Sequence, residues 1–122
     1  VSLSQNLLFK TNSDKIDNNG QLAIRTLAQV LTQNPDIEIT VEGHTDSDGT
    51  ADYNWDLSTA RATSVVKLLA SSGVDPKRIT AAGRSMFQPV VENNSPENKS
   101  RNRRVDIILS PRLDQLFQII RS

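Results

Sequence analysis

The sequence predicts an α/β (α+β) two-layer sandwich. A four-stranded mixed sheet carries packed helices in the order βαβαββ, and a C-terminal helix follows. Three observations lead there. Ile37-Glu38-Ile39-Thr40-Val41-Glu42 alternates strictly between apolar and polar, the period of a strand with one buried face. Ile24, Leu27, Ala28 and Leu31 recur at helical spacing and form one apolar stripe. Strand-like and helical segments alternate, but the last two strands are separated only by a short helix, which favours a mixed sheet over an all-parallel one. A chain of 122 residues fits one domain spanning 1–122, with a core over about 9–109 and a helical extension over 111–121.

In chain order, Val1 to Phe9 reads as an opening strand and Thr11-Asn12-Ser13-Asp14 as a loop, because these side chains bond to nearby backbone. A first helix is expected from Asn18 to Gln33, capped by Asp17 or Asn18 and stopped by Asn34-Pro35. The alternating strand runs into the turn-rich Gly43-His44-Thr45-Asp46-Ser47-Asp48-Gly49. A second helix is expected from Asp52 to Ser71, closed by Ser72-Gly73. Asp75-Pro76 opens a short helical turn, and Ile79 to Met86 reads as a third strand. Ser95 caps a short helix with Pro96 at its first position. Val105 to Leu109 reads as the fourth strand, and Pro111 starts the last helix, with Leu113, Leu116, Phe117 and Ile120 on one face.

Composition removes several classes of chemistry. There is no cysteine, which excludes thiol catalysis, disulfides and Cys-based zinc sites. His44 is the single histidine, so a His-rich metal site is excluded and a Ser-His-Asp triad is disfavoured. Fourteen Lys+Arg balance fourteen Asp+Glu, which argues against a globally basic nucleic-acid binder. No apolar run approaches the ~18–20 residues of a membrane span. The chain opens on Val1 without a leader pattern and is expected to be one domain of a longer protein.

The second helix carries an anomaly. On a wheel with Leu57 at zero, Leu68 falls at ~20°, Arg61 at ~40°, Val65 at ~80° and Leu69 at ~120°. Arg61 therefore lies within the apolar stripe, toward the helix N-terminus, where backbone N–H groups favour anions. A buried guanidinium needs a carboxylate partner. Asp46, in the loop before the helix, is the internal candidate, and a structural Arg61–Asp46 pair that pins the loop is one reading. The other is a ligand with both charges: Asp46 accepts an ammonium and Arg61 grips a carboxylate in a fork. Thr45, Asn12 and Asn54 would add neutral hydrogen bonds.

The segment Asn54-Trp55-Asp56-Leu57-Ser58-Thr59-Ala60-Arg61-Ala62-Thr63-Ser64-Val65-Val66-Lys67-Leu68-Leu69 resembles, at every fixed position, the signature N-x-x-L-S-x-x-R-A-x-x-V-x-x-x-L. That signature belongs to the OmpA-like peptidoglycan-binding domain, shared by OmpA-type proteins, peptidoglycan-associated lipoproteins and MotB flagellar stator proteins. Gly43-His44-Thr45-Asp46 is similar to its G-H-T-D strand end, and Asn102-Arg103-Arg104-Val105 to its N-R-R-V entry to the last strand. The resemblance covers about Phe9 to Leu109. It implies a periplasmic domain of an envelope protein that anchors non-covalently to peptidoglycan through the meso-diaminopimelate of the stem peptide, with no cofactor and no catalysis. By motif, Asp46 corresponds to the aspartate for the ammonium and Arg61 to the arginine for the carboxylate. Asn12, Thr45, Asn54 and Arg103 match positions lining the same groove. Lys10 stands where many members carry an acidic or small residue, and Asp48 adds charge to the loop. Membrane attachment would come from another part of the parent protein. Some members dimerise, and the sequence leaves a homodimer open.

Other readings have their own residues. His44 is expected to make structural hydrogen bonds. Tyr53 and Trp55 either stack on sugar rings or cover the core. Asp46, Asp48 and Asp52 lack the spacing and closing glutamate of an EF-hand. Lys99, Arg101, Arg103 and Arg104 form a basic run that suggests a nucleic-acid-binding α/β module. No aromatic residues interleave with them, and strand alternation turns Arg103 and Arg104 to opposite sides. A wall hydrolase would need paired carboxylates, a zinc site or an activated nucleophile, and no His or Cys constellation accompanies the carboxylates here.

Overall fold

The computed structural model describes residues 1–9 and 13–111. The elements are β1 (Ser2–Ser4), α1 (Gln5–Leu8), α2 (Asn18–Thr32), β2 (Ile37–His44), α3 (Ala51–Ser71), a 3₁₀ turn (Pro76–Arg78), β3 (Ile79–Gly83), α4 (Pro96–Asn102) and β4 (Arg104–Pro111). The strands form one four-stranded sheet in the order β1-β4-β2-β3. β2 and β3, linked through α3, are parallel from Ile39↔Ile79 to Gly43↔Gly83. β4 inserts antiparallel between β1 and β2, with Val41 opposite Ile107 and Gly43 opposite Val105. The predicted mixed sheet with packed helices is the observed one.

Helix starts follow the capping residues. Asp17 accepts from the Asn18 N–H at 2.8 Å, Thr50 from Tyr53 at 3.1 Å and Ser95 from Asn98 at 3.1 Å. Asp75 caps the 3₁₀ turn. Leu8, Ile24, Ala28 and Leu31 meet Ile39, Val41, Val105 and Ile107 of the sheet and Ala62, Val65 and Leu69 of α3 in one buried core. Arg78 is buried and donates to the carbonyls of Leu31, Asn34 and Ile37, closing the orphan end of α2.

The N-terminal segment differs from expectation. The strand ends at Ser4, whose hydroxyl caps the single helical turn α1. The Gln5 N–H then donates to the Arg103 carbonyl at 3.0 Å, and Leu8 and Phe9 turn into the core. The third strand stops at Gly83 rather than Met86. Ser85 adopts φ 52°, and its N–H donates to Ser58 Oγ at 3.0 Å while its hydroxyl donates to the Ala51 carbonyl at 3.1 Å. Those contacts bend the chain over the start of α3, while the Arg84 N–H still donates to the Gly43 carbonyl at 3.0 Å and the Thr45 N–H to the Ser85 carbonyl at 2.9 Å. Pro111 closes β4 opposite Ile37 instead of opening a helix, since a strand end tolerates a residue without an N–H. The rest of the expected helix, 112–121, lies outside the described residues.

Two glycines set how deeply α3 seats. A Cβ on Gly43 would fall 2.1 Å from the Ser58 carbonyl oxygen, and one on Gly83 would fall 2.1 Å from Thr59 Oγ1. Only bare backbone lets the first half of α3 lie this close to β2 and β3. That contact positions the helix segment bearing Asn54 and Arg61.

A candidate binding cavity for a zwitterion

A cavity of about 280 Å³ opens where α1, the β2–α3 loop, the N-terminal half of α3 and the α4–β4 junction converge. Thr45, Asp46, Asn54, Arg61 and Arg103 all line it, so four residues of the 45–61 stretch meet Arg103 from the far end of the chain around one cavity. Asn12, the sixth, lies outside the described residues. Gln5, Asn6, Asp48, Tyr53 and Leu57 complete the lining. Gln5 and Asn6 were not foreseen, because the segment was expected to be a strand. The Ser4 cap ahead of two polar residues was the available signal.

Arg61 is only 3% exposed, as the helix wheel requires. Its Nε donates to the Ser13 carbonyl at 3.0 Å and its Nη1 to Gln5 Oε1 at 2.7 Å. Its guanidinium lies over the Phe9 ring, 5.1 Å from the centroid. Nη2 is buried without a hydrogen-bond partner among the described residues. Burial pushes the Arg61 pKa down, and neighbouring Arg103 pushes the same way. Tyr53, Asp14 and Asp46 oppose them, and an arginine stays charged at any physiological pH.

The expected internal Arg61–Asp46 pair is not formed. Arg103 Nη1 takes Asp46 Oδ2 instead, because the α4–β4 junction delivers that cation to the loop while Gln5 and Ser13 occupy two edges of Arg61. Asp46 Oδ1 accepts the Asp48 N–H at 2.9 Å, and Asn54 Nδ2 donates to the Asp48 carbonyl at 2.8 Å. The Thr45 hydroxyl donates to the Asp46 carbonyl at 2.9 Å. The carboxylate is therefore presented by a loop braced by its own hydrogen bonds.

The basic run is largely consumed by acids. Lys99 pairs with Asp48 at 2.9 Å, Arg103 with Asp46, and Arg104 with Asp106 at 3.1 Å. Arg103 faces the cavity and Arg104 the opposite side of the sheet, as alternation predicted. This leaves little of the basic surface that a phosphate backbone would need. Tyr53 lines the cavity half-exposed, and Trp55 packs on Phe87 with ring centroids 5.6 Å apart, also half-exposed, so neither covers the core. Among the described residues, no cluster of three or more acidic, His or Cys side chains could hold a metal ion.

His44 sits on the sheet face away from the core, with Nε2 3.4 Å from Glu42 and 3.5 Å from Asp106. Neither ring nitrogen makes a well-aligned hydrogen bond among the described residues, contrary to expectation. Burial, seconded by Arg104, pushes its pKa down, while Asp106 and Glu42 pull the other way. The segment after β3 is tied over this face. The Gln88 carbonyl accepts from Arg104, and the fully buried Asn102 binds the N–H groups of Val90 and Val91 at 2.9 and 3.2 Å.

Known proteins share both the sequence and the fold. The chain is 37% identical over 111 residues to the probable lipoprotein YiaD of Escherichia coli, matching 91% of this chain and 51% of that protein. It spans about half or less of the curated relatives it first matches. The periplasmic domain of Helicobacter pylori MotB superposes with a TM-score of 0.84 at 30% identity, covering 98% of this chain and 86% of that one. The peptidoglycan-associated lipoprotein of Burkholderia pseudomallei superposes with a TM-score of 0.79 at 28% identity, covering 89% of each chain. The OmpA family model matches residues 8–103, a stretch that holds the G-H-T-D loop, the α3 signature and Arg103, and the chain belongs to the OmpA family.

Proposed function

We propose that this domain binds peptidoglycan non-covalently through the diaminopimelate of its stem peptide, and so anchors an envelope protein to the wall from the periplasm. The observation that carries the reading is the cavity that holds a buried guanidinium, Arg61, and a carboxylate, Asp46, side by side without pairing them to each other. Diaminopimelate ends in an ammonium and a carboxylate on one carbon. The ammonium matches Asp46, the carboxylate matches Arg61, and Thr45 and Asn54 shape the loop between them. The similar Burkholderia protein is a peptidoglycan-associated lipoprotein, which supports the ligand class. The role is retention: among the described residues lining the cavity, none offers an activated nucleophile or a paired acid and base.

A lysine-type stem peptide lacks the second carboxylate. It would leave Arg61 desolvated and facing no acid, at a cost of ~2–5 kcal/mol, or roughly 30- to 4,000-fold in affinity. Titration with soluble muropeptides of the two types measures this, and equal affinity would remove the fork. Arg61→Ala and Asp46→Ala are each expected to abolish co-sedimentation with purified sacculi. Retention of both variants at the wild-type level would refute the site. Release of soluble fragments from sacculi would make the domain a hydrolase instead.

A further inference from the structure

Asp46 is already engaged. Its Oδ2 is held by Arg103 and its Oδ1 by the Asp48 N–H. A ligand ammonium therefore reaches this carboxylate only by replacing a partner, and the two cavity cations differ in how firmly they are held. Arg61 is fixed by Ser13, Gln5 and the Phe9 ring and is almost completely buried. The Arg103 side chain is 28% exposed, and among the described residues its side chain is held by the pair with Asp46. The charged lining of the cavity is balanced, with Asp46 and Asp48 against Arg61 and Arg103.

We infer that Arg103 is the exchangeable counter-ion of Asp46, released when a ligand ammonium takes the carboxylate and then turned toward the ligand's own carboxylate beside Arg61. The inference rests on the amino-acid seat proposed above and adds which group moves and what that movement selects. An ammonium alone would displace Arg103 and leave it unpaired next to Arg61, two like charges in a partly desolvated space. A carboxylate alone would meet Arg61 but leave Asp46 closed. A zwitterion supplies both charges at once, so Asp46 exchanges one cation for another while the displaced Arg103 and Arg61 share the ligand carboxylate. Arg103 thus makes ammonium binding conditional on a neighbouring carboxylate, which is selectivity by penalty on the wrong ligand.

Calorimetric titration of the domain with meso-diaminopimelate and with cadaverine, a diamine without carboxylates, tests this in wild type, Arg103→Gln and Arg103→Lys. Wild type is expected to bind diaminopimelate and to bind cadaverine at least ~100-fold more weakly. In Arg103→Gln, diaminopimelate weakens by ~10-fold or more while cadaverine gains ~10-fold, so discrimination collapses. Arg103→Lys keeps a cation for Asp46 and retains the wild-type order of preference, which separates loss of charge from loss of fold. An Arg103→Gln variant that binds diaminopimelate with wild-type discrimination overturns the exchange and leaves the seat intact. A wild-type domain that binds neither probe, with sacculus retention unaffected by Arg61→Ala and Asp46→Ala, overturns the seat and the exchange together.

Discussion

Replacing Gly43 by Ala introduces one methyl group where the backbone has no room for it. The new Cβ would lie 2.1 Å from the Ser58 carbonyl oxygen, 2.9 Å from its carbon and 3.1 Å from its Cα. Ordinary contact needs ~3.5 Å, so more than 1 Å must be made up. β2 cannot yield, because Gly43 is paired with Gly83 of β3 on one side and Val105 of β4 on the other. α3 must lift instead, loosening Ala62, Val65 and Leu69 from the core. Overpacking costs ~1–3 kcal/mol, and the upper end applies here because both clashing partners are backbone. With a urea dependence of ~1.5 kcal/mol/M, the unfolding midpoint falls by ~2 M. Asn54 and Arg61 flank Ser58 on the displaced helix, so sacculus retention should fall even in the fraction that remains folded. A midpoint within ~0.3 M of wild type would refute the claim that this glycine exists for close approach.

Two further outcomes follow from particular contacts. Asn102→Ala strands the Val90 and Val91 N–H groups and is expected to cost ~2–3 kcal/mol, with hydrogen exchange accelerated at both amides; unchanged protection there would contradict the clasp. His44, facing Glu42, Asp106 and Arg104, with Arg84 behind Glu42, has a folded pKa below its ordinary ~6.5, so the unfolded chain binds the extra proton first. Stability is then full above ~6.5 and is lost as pH falls from there toward the folded pKa. Urea midpoints across this range should drop in wild type, and less so in His44→Gln.

Much of the architecture was legible because it is local. The alternation of Ile37 to Glu42, the Ser95-Pro96 cap and the apolar stripe of α2 each depend on residues within a turn or two of one another. The anomaly of Arg61 was legible for the same reason, since a helix wheel places a cation among leucines without any knowledge of the rest of the chain. The α3 signature and the G-H-T-D and N-R-R-V segments then grouped Thr45, Asp46, Asn54, Arg61 and Arg103, and one cavity contains them all.

What the sequence could not decide was which acid meets which base. Asp46 and Arg61 looked like partners because both flank one loop. The α4–β4 junction brings Arg103 to Asp46, and the α1 turn brings Gln5 to Arg61. Gln5 and Arg103 are distant from these partners in sequence and adjacent only after β4 inserts between β1 and β2. Local propensity settles the elements because short-range sterics and burial act within each one. Charge pairing is settled by tertiary structure because Coulomb attraction depends on final distances and on how much water the closed fold excludes.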